Sequence, residues 1–177
     1  NLSTAHFAFT GEAARDYVGS SISTAGDVDG DGYADVLMGA YDNDDGGTDA
    51  GKAYLVLGSS LGSSGSMGLA SADSAFVGAA AGDSLGQVVA SAGDVDADGF
   101  DDILIGAPGN DDWGDSAGRT YLIFGSTLRV GTSSYDMASW AFDYAFVGDE
   151  EFDYSGWAAS TAGDVNGDGF DDLLFGA

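Results

Sequence analysis

The sequence predicts an all-β fold, a β-propeller segment made of four-stranded antiparallel blades, about two and a half of them. Three observations predict it. A nine-residue acidic stretch occurs three times, at Asp27–Asp35, Asp94–Asp102 and Asp164–Asp172, with starts 67 and 70 residues apart. Each copy runs directly into a short apolar run that ends in Gly-Ala. No stretch holds a sustained 3.6-residue period with caps, so almost no helix is expected.

Each element repeats in order. Residues 1–17 hold an outer strand at 5–10 and a lead-in. Blade one covers 18–78, blade two 79–148, and 149–177 a half blade. Residues 18–26, 85–93 and 156–163 mix small and apolar side chains and read as first strands. After the acidic stretch come Val36-Leu37-Met38-Gly39-Ala40, Ile103-Leu104-Ile105-Gly106-Ala107 and Leu173-Leu174-Phe175-Gly176-Ala177. Such runs bounded by Gly suit strands buried on both faces. Third strands follow at Tyr54–Gly58 and Tyr121–Gly125, and short outer strands at Ala75–Gly78 and Ala145–Gly148. Residues 59–73 and 126–142 are Ser/Gly/Ala-rich connections. The register is strict: Phe9, Phe76 and Phe146 each precede the first loop Asp by 18 residues. A blade cannot cover both its faces alone, so neighbouring blades must do so.

The acidic stretch places oxygen-bearing side chains at its first, third, fifth and ninth positions, with Gly at the sixth. That is the chemistry of a loop folded around a hard cation, and calcium is the candidate. Loop one offers Asp27, Asp29, Asp31 and Asp35, plus the Tyr33 carbonyl. Loop two offers Asp94, Asp96, Asp98 and Asp102, plus the Phe100 carbonyl. Loop three offers Asp164, Asn166, Asp168 and Asp172, plus the Phe170 carbonyl, with one charge fewer at Asn166. Three Ca2+ sites are therefore expected. An EF-hand is rejected, since its twelfth-position Glu is replaced by Met38, Ile105 and Phe175 inside apolar strands. A chance run of Asp/Gly turns does not explain fixed spacing in three copies.

The pattern Phe-x-Gly … Gly-Asp-Val-Asp-x-Asp-Gly-x-x-Asp-x-Leu-x-Gly-Ala resembles the FG-GAP repeat of integrin alpha-subunit propellers and their bacterial relatives. Gly106-Ala107-Pro108 matches the name-giving segment, while copy one has Tyr41 in place of Pro. The resemblance covers almost the whole chain. It implies a propeller whose blades hold calcium between their first and second strands, used in adhesion or protein recognition. It also implies that the calcium loops brace one face while ligands are taken on another.

Composition sets outer bounds. The 177 residues carry a formal charge of −26, with 30 acids against four bases. Only Glu12, Glu150 and Glu151 are Glu; the remaining acids are Asp, set in Gly-rich turns, which points to cation ligation. Uncompensated, this charge works against a compact state. It makes nucleic acid and anionic membrane poor partners. There is no Cys, so disulfides and thiolate chemistry are absent. No stretch is long and apolar enough to span a membrane. The chain opens at Asn1-Leu2-Ser3 without a secretion signal, as expected for a mature protein or a segment of a longer one. That tripeptide also matches a glycosylation acceptor. Weak calcium sites are useful where calcium is abundant, which places the chain outside the cell, secreted or at the cell surface.

Other residues read as structural. Asn43-Asp44-Asp45 and Asn110-Asp111-Asp112, with Asp49 and Asp115 nearby, read as solvated polar turns rather than a second cation site. Asp16, Asp83 and Asp153 recur before the first strands as turn braces, not as paired catalytic carboxylates. His6 lacks Ser or Cys partners for a triad. Trp113, Trp140, Trp157 and the Tyr residues are aromatics able to meet sugar, but Trp157 is expected to pack between blades, and Trp113, in a loop, is the better surface candidate. No Lys-bearing phosphate loop is present.

The expected function is a non-enzymatic, calcium-stapled extracellular module for adhesion, recognition of a protein or glycan ligand, or surface assembly. The half blade leaves an open edge, so self-association into a ring or filament by head-to-tail completion is an alternative. The missing strands favour a segment of a longer chain over that assembly. A third reading is the accessory propeller of a secreted enzyme.

Overall fold

A computed structural model of the chain describes residues 7–128, 134–139 and 141–177. Asn1, His6, Arg129, Trp140 and the first two residues of the expected 5–10 strand lie outside the described residues. Among the described residues there are strands and short 3-10 turns, and no α-helix.

The first full blade holds β2 (Ile22–Gly26), β3 (Asp35–Ala40), β4 (Lys52–Val56) and β6 (Ser74–Val77). The second holds β7 (Val88–Gly93), β8 (Asp102–Ala107), β9 (Arg119–Ile123) and β11 (Tyr144–Val147). Both are antiparallel meanders, and the registers repeat: Leu37 faces Leu55 as Leu104 faces Leu122. Every residue of β8 and β9 is buried, as apolar runs bounded by Gly require. The third sheet contains β12 (Ala158–Gly163) and β13 (Asp172–Gly176) alone.

Each first strand ends in the same irregularity. The register shifts between Thr24 and Gly26, between Ser91 and Gly93, and between Thr161 and Gly163. These glycines have φ of 82°, 76° and 69°. A bulge with Gly in the left-handed region bends the chain out of the sheet, and the acidic loop begins at the next residue.

The main core lies between the two full blades. Leu37, Leu55 and Phe76 of the first meet Ile103, Ile105 and Tyr121 of the second. Blade contact is closest where Gly39 touches the backbone of Gly86, whose carbonyl oxygen occupies the place a Cβ on Gly39 would take. Gly106 stands against Gly156 in the same way. The Gly of the Gly-Ala that ends the first two apolar runs is thus a backbone contact between blades.

The Ser/Gly/Ala-rich connections contain strands. β5 (Gly65–Gly68) pairs in parallel with β1 (Phe7–Thr10), and β10 (Tyr135–Asp136) pairs in parallel with β6. Each connection therefore lies along the outer strand of the preceding blade, and the first blade's sheet becomes five-stranded. The strand around Phe9 is partnered by this device.

Trp157 differs from the expectation of packing between blades. It is 61% exposed, with its ring 6.0 Å from Tyr154. The third sheet presents Leu174 and Phe175 to solvent as well, because no further sheet lies against it among the described residues. Trp113 is exposed, as expected of a loop residue.

Candidate metal centre

The acidic loops sit on one rim, each between the first two strands of its sheet. In loop one the carboxylates are oriented by the loop's own backbone. Asp27 accepts from the N–H groups of Asp31 and Gly32 at 3.0 and 2.9 Å. Asp29 accepts from Asp31, and Asp31 from Tyr33. Loop two repeats each bond: Asp94 takes the N–H groups of Asp98 and Gly99, Asp96 that of Asp98, and Asp98 that of Phe100. In loop three Asp164 accepts from Gly167, Asp168 and Gly169, Asn166 from Asp168, and Asp168 from Phe170.

The ninth position anchors each loop to its blade. Asp35 is buried and accepts from Val28 at 2.9 Å and from Gly58, just past β4, at 2.8 Å. Asp102 is fully buried and accepts from Val95 and Gly125, both at 2.9 Å. Asp172 accepts from Val165 at 2.9 Å. A carboxylate oxygen that takes one N–H keeps a second lone pair for a cation.

Loops one and two gather carboxylate oxygens without gathering positive charge. Carboxylate oxygens of Asp27, Asp29 and Asp35 lie within 4.8 Å of one another, as do those of Asp94, Asp96 and Asp98. Asp31 and Asp102 stand outside these triads. Loop three forms no such triad among the described residues, and its Asn166 offers no carboxylate. Lys52 is engaged by Glu12 and Asp45, and Arg119 by Asp112, all away from the loops. Burial raises the Asp35 carboxyl above the usual carboxylate range, against the N–H groups of Gly58 and Val28, and Asp29 and Asp27 raise it further. Burial pushes Asp102 up to about 6, although Gly125 and Val95 act in the other direction. At the exposed Asp164, by contrast, backbone donors led by Gly169 hold the carboxyl below its ordinary value. An all-oxygen, anionic donor set with no cationic side chain fits a hard divalent cation and does not fit a soft metal.

Comparison with known proteins follows the same periodicity. The FG-GAP repeat model matches residues 18–56, 85–123 and 155–177. The chain belongs to the FG-GAP repeat family. Integrin alpha-V of Gallus gallus is 33% identical over 174 residues, covering 96% of this chain and 16% of that protein. Integrin alpha-4 of Xenopus laevis is 27% identical over 168 residues, 94% of this chain and 15% of that protein. Integrin alpha-PS2 of Drosophila melanogaster is 37% identical over 89 residues, 48% of this chain and 6% of that protein. The chain thus spans about a sixth of the first two relatives. FG-GAP repeats of integrin alpha subunits form a β-propeller, and the sheets described above are its blades, about two and a half of them.

Three groups of residues escape a reading by loop spacing. Asp73 and Asp143 accept from Leu57 and Phe124 at 2.9 and 2.7 Å, closing the connection after each third strand. Asn43 and Asn110 are buried rather than solvated, and donate through Nδ2 to Asp16 and Asp83 at 2.9 and 3.1 Å. Asp16, Asp83 and Asp153 also accept from Ala13, Ala80 and Glu150, so they brace turns as expected. Asp101 and Asp171, at the eighth loop position, reach into the preceding loop. Their signal in the sequence is the repeated Asp-Asp at 101–102 and 171–172.

Proposed function

We propose that this chain is an extracellular, non-catalytic recognition or adhesion module whose acidic loops bind calcium as structural staples. The observation that carries the proposal is the convergence of three carboxylates in each of loops one and two with no basic partner. The ligands are Asp27, Asp29, Asp31, the Tyr33 carbonyl and Asp35 in loop one. In loop two they are Asp94, Asp96, Asp98, the Phe100 carbonyl and Asp102. In loop three they are Asp164, Asn166, Asp168, the Phe170 carbonyl and Asp172. The blades divide at 18–78, 79–148 and 149–177. Kinship with integrin alpha subunits supports a protein ligand and a place outside the cell. Among the described residues no helix is long and apolar enough to cross a membrane.

A staple differs from a sensor in having little room to move. Loops one and two are held at their ninth positions, Asp35 and Asp102, inside buried strands, so a cation there fixes the joint between two strands. Binding to the folded state alone stabilises by mass action. Chelation with excess EDTA should therefore lower Tm by tens of degrees, and restored calcium should recover it. An unchanged melt would remove the staple.

The exposed face of β12 and β13 favours a second reading, in which copies associate through this sheet into a ring or filament. Mass measured by light scattering in calcium separates the two. A multiple of the 17.7 kDa chain supports association, and a stable monomer ends that reading.

A further inference from the structure

Asp101 and Asp171 occupy the eighth position of loops two and three, a position with no ligand role. Each side chain nonetheless points away from its own loop. Oδ2 of Asp101 accepts the N–H of Asp27, 74 residues away, at 2.7 Å. The N–H of Asp101 in turn donates to the carbonyl of Asp27 at 3.1 Å. The same two bonds join Asp171 to Asp94, at 3.1 Å through the carboxylate and 3.2 Å through the backbone. The first residue of one loop is thus held on both its backbone groups by the next loop.

The preceding chain is shaped to admit this contact. Gly26 and Gly93 lie directly before Asp27 and Asp94, and a Cβ on either would collide with the carboxylate of Asp101 or Asp171. Gly163, the equivalent glycine of loop three, has no atom within 4 Å of such a Cβ. Phe100 adds an apolar contact, since its ring stands 2.7 Å from where a Cβ on Gly30 would be. Loop one is therefore bracketed by loop two and loop two by loop three, in one direction along the chain.

We propose that Asp101 and Asp171 are positioning residues that couple cation binding in neighbouring loops. The inference rests on the calcium reading above. Asp101 is joined by one peptide bond to Asp102, the last ligand of loop two, and by two hydrogen bonds to Asp27, the first ligand of loop one. A cation that orders residues 94–102 fixes the bracket, and a fixed bracket sets the backbone from which the Asp27 carboxylate reaches its ion. Coupling between two binding sites must be reciprocal, so an ion in loop one favours one in loop two equally. Ala34 holds the eighth position of loop one, so loop one has no side chain with which to bracket a loop before it.

Terbium tests this on the intact 177-residue chain. Tyr33 lies in loop one, while Phe100 and Phe170 take its place in the other two, so tyrosine-sensitised emission reports loop one. Asp98→Ala removes a ligand of loop two and should raise the loop-one midpoint by about five-fold or more, the lower range of measured couplings. Asp101→Ala should raise it similarly, and the double variant should add nothing further. Asp101→Asn keeps a carbonyl oxygen for the Asp27 N–H and should retain the coupling. Asp168→Ala, which disturbs loop three, should affect loop one less than Asp98→Ala does. A loop-one midpoint that ignores Asp98→Ala and Asp101→Ala, in a chain that binds terbium, overturns the coupling alone. A parent chain that gives no saturable emission displaced by calcium overturns the calcium reading and the coupling with it. Should Asp101→Ala unfold, the Asp98→Ala and Asp101→Asn arms decide the matter.

Discussion

At the scale of single residues, one side chain type does several jobs, and its position in the repeat separates them. Aspartates at the first, third and fifth loop positions hold turns while keeping lone pairs free. Those at the ninth lock the loop to its strand, and in loops one and two, Asp35 and Asp102, they are buried. Those at the eighth reach across to another loop. The spacing of the loop carboxylates was legible because it is local, within nine residues. The Asp101–Asp27 bond was not, because its partners are 74 residues apart and only stacked blades bring them together. Asp83 belongs to a further group outside the loops. It is buried, and burial raises its carboxyl above the ordinary value, with Asp112 adding to the rise and Asn110, Ala80 and Arg119 opposing it. Its folded value then lies above its unfolded one, so its charge opposes folding at neutral pH. That penalty fades as pH falls through the folded value toward the unfolded value of about 3.9. Asp83→Asn removes the charge and keeps one acceptor oxygen. The variant's Tm relative to the parent, both in chelator, should be most favourable at neutral pH and should lose ground as pH falls toward 4.5. A difference that stays constant across that range would show that the Asp83 charge does not couple to folding.

At the scale of elements, the strands after each loop were the most legible. A run such as Ile103-Leu104-Ile105, with Asp before and Gly-Ala after, leaves few alternatives to a buried strand. The connections were the least legible. β5 reads Gly-Ser-Met-Gly and β10 is two residues long, so neither carries an alternating pattern. They are strands because an outer edge lies beside them, a tertiary cause that no window of sequence contains. The glycines of the apolar runs show a similar divide. Gly39 looks like a strand terminator, yet its backbone is pressed against Gly86 of the next blade. Its conformation is an ordinary extended one, so a substitution there tests packing alone. Gly39→Ala should force the blades apart and destabilise the chain by about 1–3 kcal/mol. Gly68→Ala, in β5 with open space around it, should stay within about 0.5 kcal/mol. Urea titration of both variants measures the contrast. Equal costs would mean that the Gly-Ala contact is not what sets blade spacing.

At the scale of the whole molecule, charge and topology meet on the loop rim. The chain carries −26, and its blades bring the loops, each dense in carboxylates, next to one another. Two mechanisms could relieve that repulsion. Screening acts on all exposed acids alike, and at physiological ionic strength it damps interactions beyond about 8 Å. Ligation acts only where oxygens converge, as at Asp27, Asp29 and Asp35. The two separate cleanly in a melt. In excess EDTA, rising sodium chloride should lift Tm gradually and then level off, because screening leaves the close carboxylates of each triad facing one another. Millimolar calcium at the same ionic strength should lift Tm well above that plateau, with magnesium less effective because it demands a tighter octahedral shell and releases water reluctantly. The calcium increment should persist in high salt, since ions bound within a cluster of short contacts are poorly screened. If sodium chloride alone reproduced the full calcium effect, the acids would be a solvated, self-repelling surface. The regular spacing of the three loops would then serve the bulge and the turn, not an ion.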